Sequence, residues 1–198
     1  MKKVNRQPWR VSLTVLTALA GLADSASAAG VTFYFQADRS TGAVGDTVTW
    51  IVSARTSGLG PDGYFGGFVG SFRATNADAY TVTNITPLMQ GIGTTPTSNS
   101  GSINSINMFH SALLGTDDNA NPLTIMIFDV VAGARAPGRS LTYTADGVAS
   151  LFATDFILEP VIELEEFDVV SDTFLILPGP GWATPLAMGT LVGLRRRR

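Results

Sequence analysis

Apolar and polar residues alternate with a period of two along most of the chain between residues 30 and 177, the mark of strands that bury one face. In Val31 to Ala37, VTFYFQA, Phe33 and Phe35 fall on one face, with Thr32, Tyr34 and Gln36 on the other. After the turn sequence STGAVGD, Thr47 to Ala54 sets Val48, Trp50 and Val52 against Thr47, Thr49 and Ser53. Tyr64 to Ala74 predicts a glycine-punctuated strand with Phe68 and Phe72 on one face, and Ala79 to Ile85 predicts another. Leu123 to Val131, LTIMIFDVV, is apolar on both faces and is expected in the centre of a sheet. Leu141 to Phe152 and Val161 to Leu177 supply the remaining strands, with one or two breaks. The Ser/Thr/Gly/Asn-rich stretch Gly91 to Ser105 reads as a long loop. No long segment of this body carries a helical stripe. The pattern predicts an all-β fold, a single antiparallel β-sandwich over residues 30–177.

Both ends break the alternation. Residues 1–29 place Lys2, Lys3, Arg6 and Arg10 ahead of the apolar VSLTVLTALAGLA, followed by small residues. A basic start, an apolar core expected to be helical and a small-residue exit are the three parts of a secretory signal. Ala26, Ala28 and Ala29 mark the cleavage region, so the mature chain is expected to begin near Ala29 or Gly30. Residues 178–198, PGPGWATPLAMGTLVGLRRRR, join a proline motif to an uncharged run and a terminal basic cluster. As a short apolar helix, Trp182 to Leu194 spans about 20 Å, less than the roughly 30 Å hydrocarbon core. Four adjacent arginines are not buried without partners.

This tail resembles the PEP-CTERM sorting signal of bacterial exosortase substrates. Pro178, Gly179, Pro180 and Gly181 stand at the proline motif, and Arg195, Arg196, Arg197 and Arg198 form the basic cluster. The family's usual Pro-Glu-Pro is Pro-Gly-Pro here. The resemblance implies export, transient anchoring by the C-terminus with the arginines held in the cytoplasm, and a sorting protease at the membrane as partner. An anchor that is never cut is the alternative.

Setting the two end segments aside changes the charge. The body keeps five arginines, no lysine and fifteen carboxylates, a net charge of about −10, against −3 for the whole chain. Such a body repels phosphate backbones, which excludes nucleic acid as a partner. Cysteine is absent, so an exported body has no disulfide staple and stands on its core. At near 148 residues it is large enough for one domain.

The stretches ADRSTGAVGDTVTWIVSA, GGFVGSFRATNADAYTVTNITPL and PLTIMIFDVVAGARAPGRSLTYTAD resemble the strand–turn–strand units of cohesin-like β-sandwiches and of the carbohydrate-binding domains that share their jelly-roll shape. The resemblance implies a binding role for an exported cell-surface or extracellular-matrix protein, with surface proteins or extracellular polysaccharide as partners.

Candidate chemistry is sparse. His110 is the only histidine, and no serine elbow or phosphate-cradling glycine loop accompanies it. The expectation is that the protein is not an enzyme. The weaker alternative is a secreted glycoside hydrolase, because Glu163 and Glu165 on a strand would share a face about 7 Å apart, within the range that sugar hydrolysis uses. The loop DDNAN offers Asp117, Asn119 and Asn121 at alternate positions as a weak Ca²⁺ candidate; Pro122 and Phe128 stand where an EF-hand needs Gly and Glu. A carbohydrate-binding module would use outward aromatics, with Tyr34, Tyr64, Phe65 and Tyr80 as the candidates.

Overall fold

The structure, a computed structural model, describes residues 28–60, 63–89, 96–109, 120–152 and 161–178. The signal helix, the apolar helix of the tail with Gly179 to Arg198, Ala26, His110, Asp117 and Asn119 lie outside the described residues.

The strands are β1 (Gly30–Ala37), β2 (Thr41–Gly42), β3 (Thr47–Ser57), β4 (Tyr64–Ala74), β5 (Tyr80–Pro87), β6 (Thr97–Asn99), β7 (Ser102–Phe109), β8 (Leu123–Ala132), β9 (Ser140–Leu141), β10 (Tyr143–Phe152), β11 (Ile162–Leu164), β12 (Asp168–Ser171) and β13 (Phe174–Ile176). One 3₁₀ turn, Ala77–Ala79, precedes β5. Two five-stranded sheets form, in the orders β12-β1-β3-β8-β5 and β11-β10-β4-β7-β6, and a small third sheet runs β2-β13-β9. Between the large sheets the alternation works as expected: Phe33, Val48, Trp50, Val52, Phe68 and Phe72 are fully buried.

The core is aromatic. Phe33 meets Phe65, Phe68, Phe72 and Phe167 edge-on, with centroids 5.0 to 6.2 Å apart, the geometry in which one ring's positive edge faces another's negative face. Tyr143 packs against Phe35, Trp50 and Phe128 at 5.5, 5.0 and 5.2 Å. Gly70 sits on the inner face between Phe68 and Phe72, whose rings stack at 5.3 Å. A Cβ on Gly70 would collide with the Asp146 carbonyl oxygen and with Phe68 Cζ, and its cross-strand partner Gly147 would collide with the Val69 carbonyl oxygen. Glycine is needed at both positions so that the strands approach under the rings.

Two expectations are corrected. The sandwich is not purely antiparallel, since β12 pairs with β1 and β13 with β2 in parallel. The reason lies in β11, which pairs with β10 in the second sheet before the chain crosses at Glu165–Phe167 to join the first. Residues 91–105 are not one long loop, because β6 and the start of β7 form a hairpin through Ser100 and Gly101. Ile103 and Ile106 are its buried residues, and a break at Ser105, in the left-handed region at φ 56°, hides their alternation in the sequence. Leu123 to Val131 is interior to its sheet as expected, and its outer side mixes the polar Thr124 and Asp129 with half-buried Ile127 and Val131.

Candidate functional site

The second sheet turns Phe68, Phe72, Ile106, Met108, Ala149 and Leu151 inward, so alternation sends Val69, Asn107, Phe109, Val148 and Ser150 outward. Cross-strand register then sets them in rows. Asn107, Val69 and Val148 form one row; Phe109, Gly67 and Ser150 form the next. Val69 is 44% exposed and Phe109 39%. The Phe109 ring lies over Gly67, where a Cβ would fall 3.0 Å from its Cδ1, and the Phe152 ring lies over Gly66. The two glycines thus leave room for aromatic rings against the sheet. Asn107 Oδ1 is buried in this patch and has no hydrogen-bond partner among the described residues. An acceptor withheld from water and left unpaired costs about 1–3 kcal/mol.

The outer face of the first sheet differs. Thr49 Oγ1 donates to Asp129 at 2.7 Å, and Asn84 Nδ2 donates to the other oxygen of the same carboxylate at 2.9 Å. Ser53 and Thr124 share a hydrogen bond at 3.4 Å. These five polar side chains are paired among themselves.

The sequence-derived candidates fare unevenly. Tyr34 is half-buried on the outer face of β1, but Tyr64, Phe65 and Tyr80 are buried. Phe65 belongs to the core, Tyr64 stacks on Phe152 at 5.2 Å, and the Tyr80 hydroxyl donates to the Arg139 carbonyl oxygen at 2.9 Å. The aromatic platform is therefore not assembled. Glu163 and Glu165 share no strand face: β11 ends at Leu164, and Glu165 sits on the bend that leaves the sheet. Glu165, Glu166, Asp168 and Asp146 line a cleft of about 480 Å³ beside Gly30. Asn121 turns its carboxamide to β3, accepting from Thr56 N and donating to Thr56 O, both at 3.0 Å. That clamp occupies the side chain of the one Ca²⁺ candidate within the described residues. No cluster of three or more His, Cys, Asp or Glu suited to a metal ion occurs among the described residues.

Two tyrosines brace one end of the sandwich. The Tyr143 hydroxyl donates to Gly101 O at 2.8 Å, and burial, helped by the nearby Tyr80 phenol, holds its proton far above the ordinary tyrosine range. Burial also raises Tyr80, against the lowering pull of the Arg139 guanidinium. Neither feature was legible from the sequence, because both partners are backbone carbonyls distant along the chain. The Val69, Asn107 and Phe109 patch was missed for a related reason. Its residues alternate as strand residues should, and only their cross-strand register brings them together.

The folded architecture is that of a mostly antiparallel β-sandwich. Among solved structures it is similar to the seventh ScaB type I cohesin from Pseudobacteroides cellulosolvens, with a TM-score of 0.54 at 12% identity over 76% of this chain and 95% of that one. It is also similar to the sixth cohesin of the Acetivibrio cellulolyticus scaffoldin B, solved in complex with a dockerin, with a TM-score of 0.52 at 12% identity over 74% and 99%. A Clostridium thermocellum cohesin–dockerin complex matches with a TM-score of 0.50 at 10% identity over 74% and 99%. No family model matches the chain, and no curated relative does. The likeness establishes the cohesin-type fold of the body.

Proposed function

We propose that the protein is a non-catalytic binding or adhesion module of the cell surface or extracellular matrix that docks a protein partner on the outer face of its second sheet. The observation that carries this reading is the patch of Val69 and Phe109 around the unpartnered Asn107 oxygen. Exposed apolar side chains gain by leaving water. The solved cohesins of the same fold include complexes with dockerins, so a dockerin-like protein is the partner class assigned here. Delivery is assigned to the ends of the chain, with residues 1–29 as the export signal and residues 178–198 as a sorting segment for a membrane protease. The carbohydrate reading loses its aromatic platform, and the hydrolase reading loses its pair of carboxylates on one strand.

The test is calorimetric titration of the full chain in detergent with a panel of dockerin modules. Saturable binding abolished by Val69→Asp is the expected result. Binding that survives Val69→Asp, or that occurs only with polysaccharide, contradicts the proposal. Export and sorting are tested separately by intact mass of the protein from membranes and medium of its native host. A start near Ala29 or Gly30 and an end near Pro178 to Gly181 support them, whereas a chain still carrying residues 1–29 and ending in Arg198 contradicts both.

A further inference from the structure

The described chain finishes at Pro178, directly after β13, at one end of the sandwich. Leu177 N donates to Gly42 O at 2.9 Å and Gly138 N donates to Ile176 O at 2.8 Å, so β13 is pinned between two turns until its last residue. One turn is 43–46, closed by Asp46 N to Ala43 O at 3.1 Å and by Ala43 N to the Asp46 carboxylate at 2.8 Å, and tied to β8 by Gly45 N to Ala132 O at 2.8 Å. The other is 133–139. Val44, 49% exposed, and Leu177, 50% exposed, are apolar side chains that this end leaves to solvent. Arg135 and Arg139 share the single carboxylate of Asp78, at 3.7 and 3.1 Å, whereas Arg39 and Arg73 each have an aspartate of their own.

Beyond Leu177 only Pro178, Gly179, Pro180 and Gly181 precede Trp182, the first residue of the uncharged run. Four residues reach at most about 14 Å when fully extended. Tryptophan settles at the membrane interface when such a run inserts. A ten-residue strand is itself about 33 Å long, so this tether is too short for the body to turn its other end to the lipid.

We infer that in the anchored protein this end, built from β2, β9, β13 and the turns 43–46 and 133–139, lies against the lipid surface, with the apolar side chains of Val44 and Leu177 as its contacts. The inference rests on the C-terminal anchoring proposed above and adds the orientation. The opposite end, where Gly30 pairs with Ser57, faces away. The outer face of the second sheet then stands upright from the membrane, open to a partner from the side.

The absence of cysteine makes single-cysteine labelling clean. The full chain is reconstituted into vesicles of phosphatidylethanolamine with phosphatidylglycerol, carrying an environment-sensitive fluorophore at Val44→Cys or at Gly60→Cys. Gly60 is exposed at the far end and has open space around it. Lipids spin-labelled at the headgroup are expected to quench the probe at 44 several-fold more than the probe at 60. Equal quenching in protein that floats with the vesicles overturns the inference and leaves the anchor standing. Protein that does not float with the vesicles overturns the anchor and the inference together.

Discussion

Two faces of the same sandwich meet water on opposite sides, and they dispose of their polar groups differently. On the first sheet, Asp129 collects hydrogen bonds from Thr49 and Asn84, and Ser53 pairs with Thr124. Its exposed apolar residues, Ile51 and Val170, stand on β3 and β12 with β1 between them; such scattered residues are ordinary on any surface. On the second sheet, Arg73 and Asp146 pair at 2.8 Å across β4 and β10, but Val69 and Phe109 leave apolar area exposed in adjacent rows beside a buried oxygen that finds no partner. A face that satisfies itself contributes to stability and gains little from contact. A face that leaves apolar area exposed gains when a partner covers it, and this difference separates the first sheet from the face proposed for docking.

The comparison is breakable at several depths. Phe33→Ala removes the ring on which four others converge, and about 3–5 kcal/mol of unfolding free energy is expected to go with it. Denaturant unfolding measures this, and a loss well below that range would show the two sheets are held by something other than their shared aromatic core. Val69→Asp is expected to abolish saturable binding of the partner, while Ile51→Asp on the opposite face leaves binding unchanged. Equal losses would erase the distinction between the faces. Asp129→Ala leaves Thr49 and Asn84 without their acceptor and is expected to lower stability by about 1–2 kcal/mol; an unchanged midpoint would show that the first face is not self-supporting. Asn107→Leu is expected to leave stability unchanged or slightly raised, because it removes an acceptor already unpaired. A clear destabilisation would place a partner for that oxygen within the protein itself.

Alkaline titration sharpens the account of the braced end. Burial raises both Tyr143 and Tyr80, so the folded protein holds these phenolic protons more tightly than the unfolded chain, whose tyrosines titrate near 10. Their contribution to stability is whole below about pH 10 and declines above it, because the unfolded state then binds fewer protons. The expected result is tyrosinate absorbance from these two rings appearing only together with unfolding. Ionisation of both in protein that stays folded would contradict the burial.

The strands with unbroken alternation were legible in the sequence, and for one reason: Phe33 with Phe35, and Val48 with Trp50 and Val52, needed only a period of two. The hairpin of β6 and β7 was hidden because a break at Ser105 puts Ile103 and Ile106 three apart, within a run whose Ser and Asn content looks like loop. Tyr64 and Phe65 are neighbours in sequence, so alternation allows only one of them to face inward. Both are buried nonetheless, since Phe152 reaches across from β10 to cover the outer ring. The docking patch depends on which residues three strands place opposite one another, and the sequence of each strand alone is silent on that.

The most direct test places a photocrosslinking residue at Val69 or at Ile51, exposed to similar degrees on opposite faces, in protein expressed at the surface of its native host. The account predicts a discrete protein adduct from position 69 and none from position 51. An adduct from 51 with none from 69 would contradict the assignment of the second sheet as the docking face.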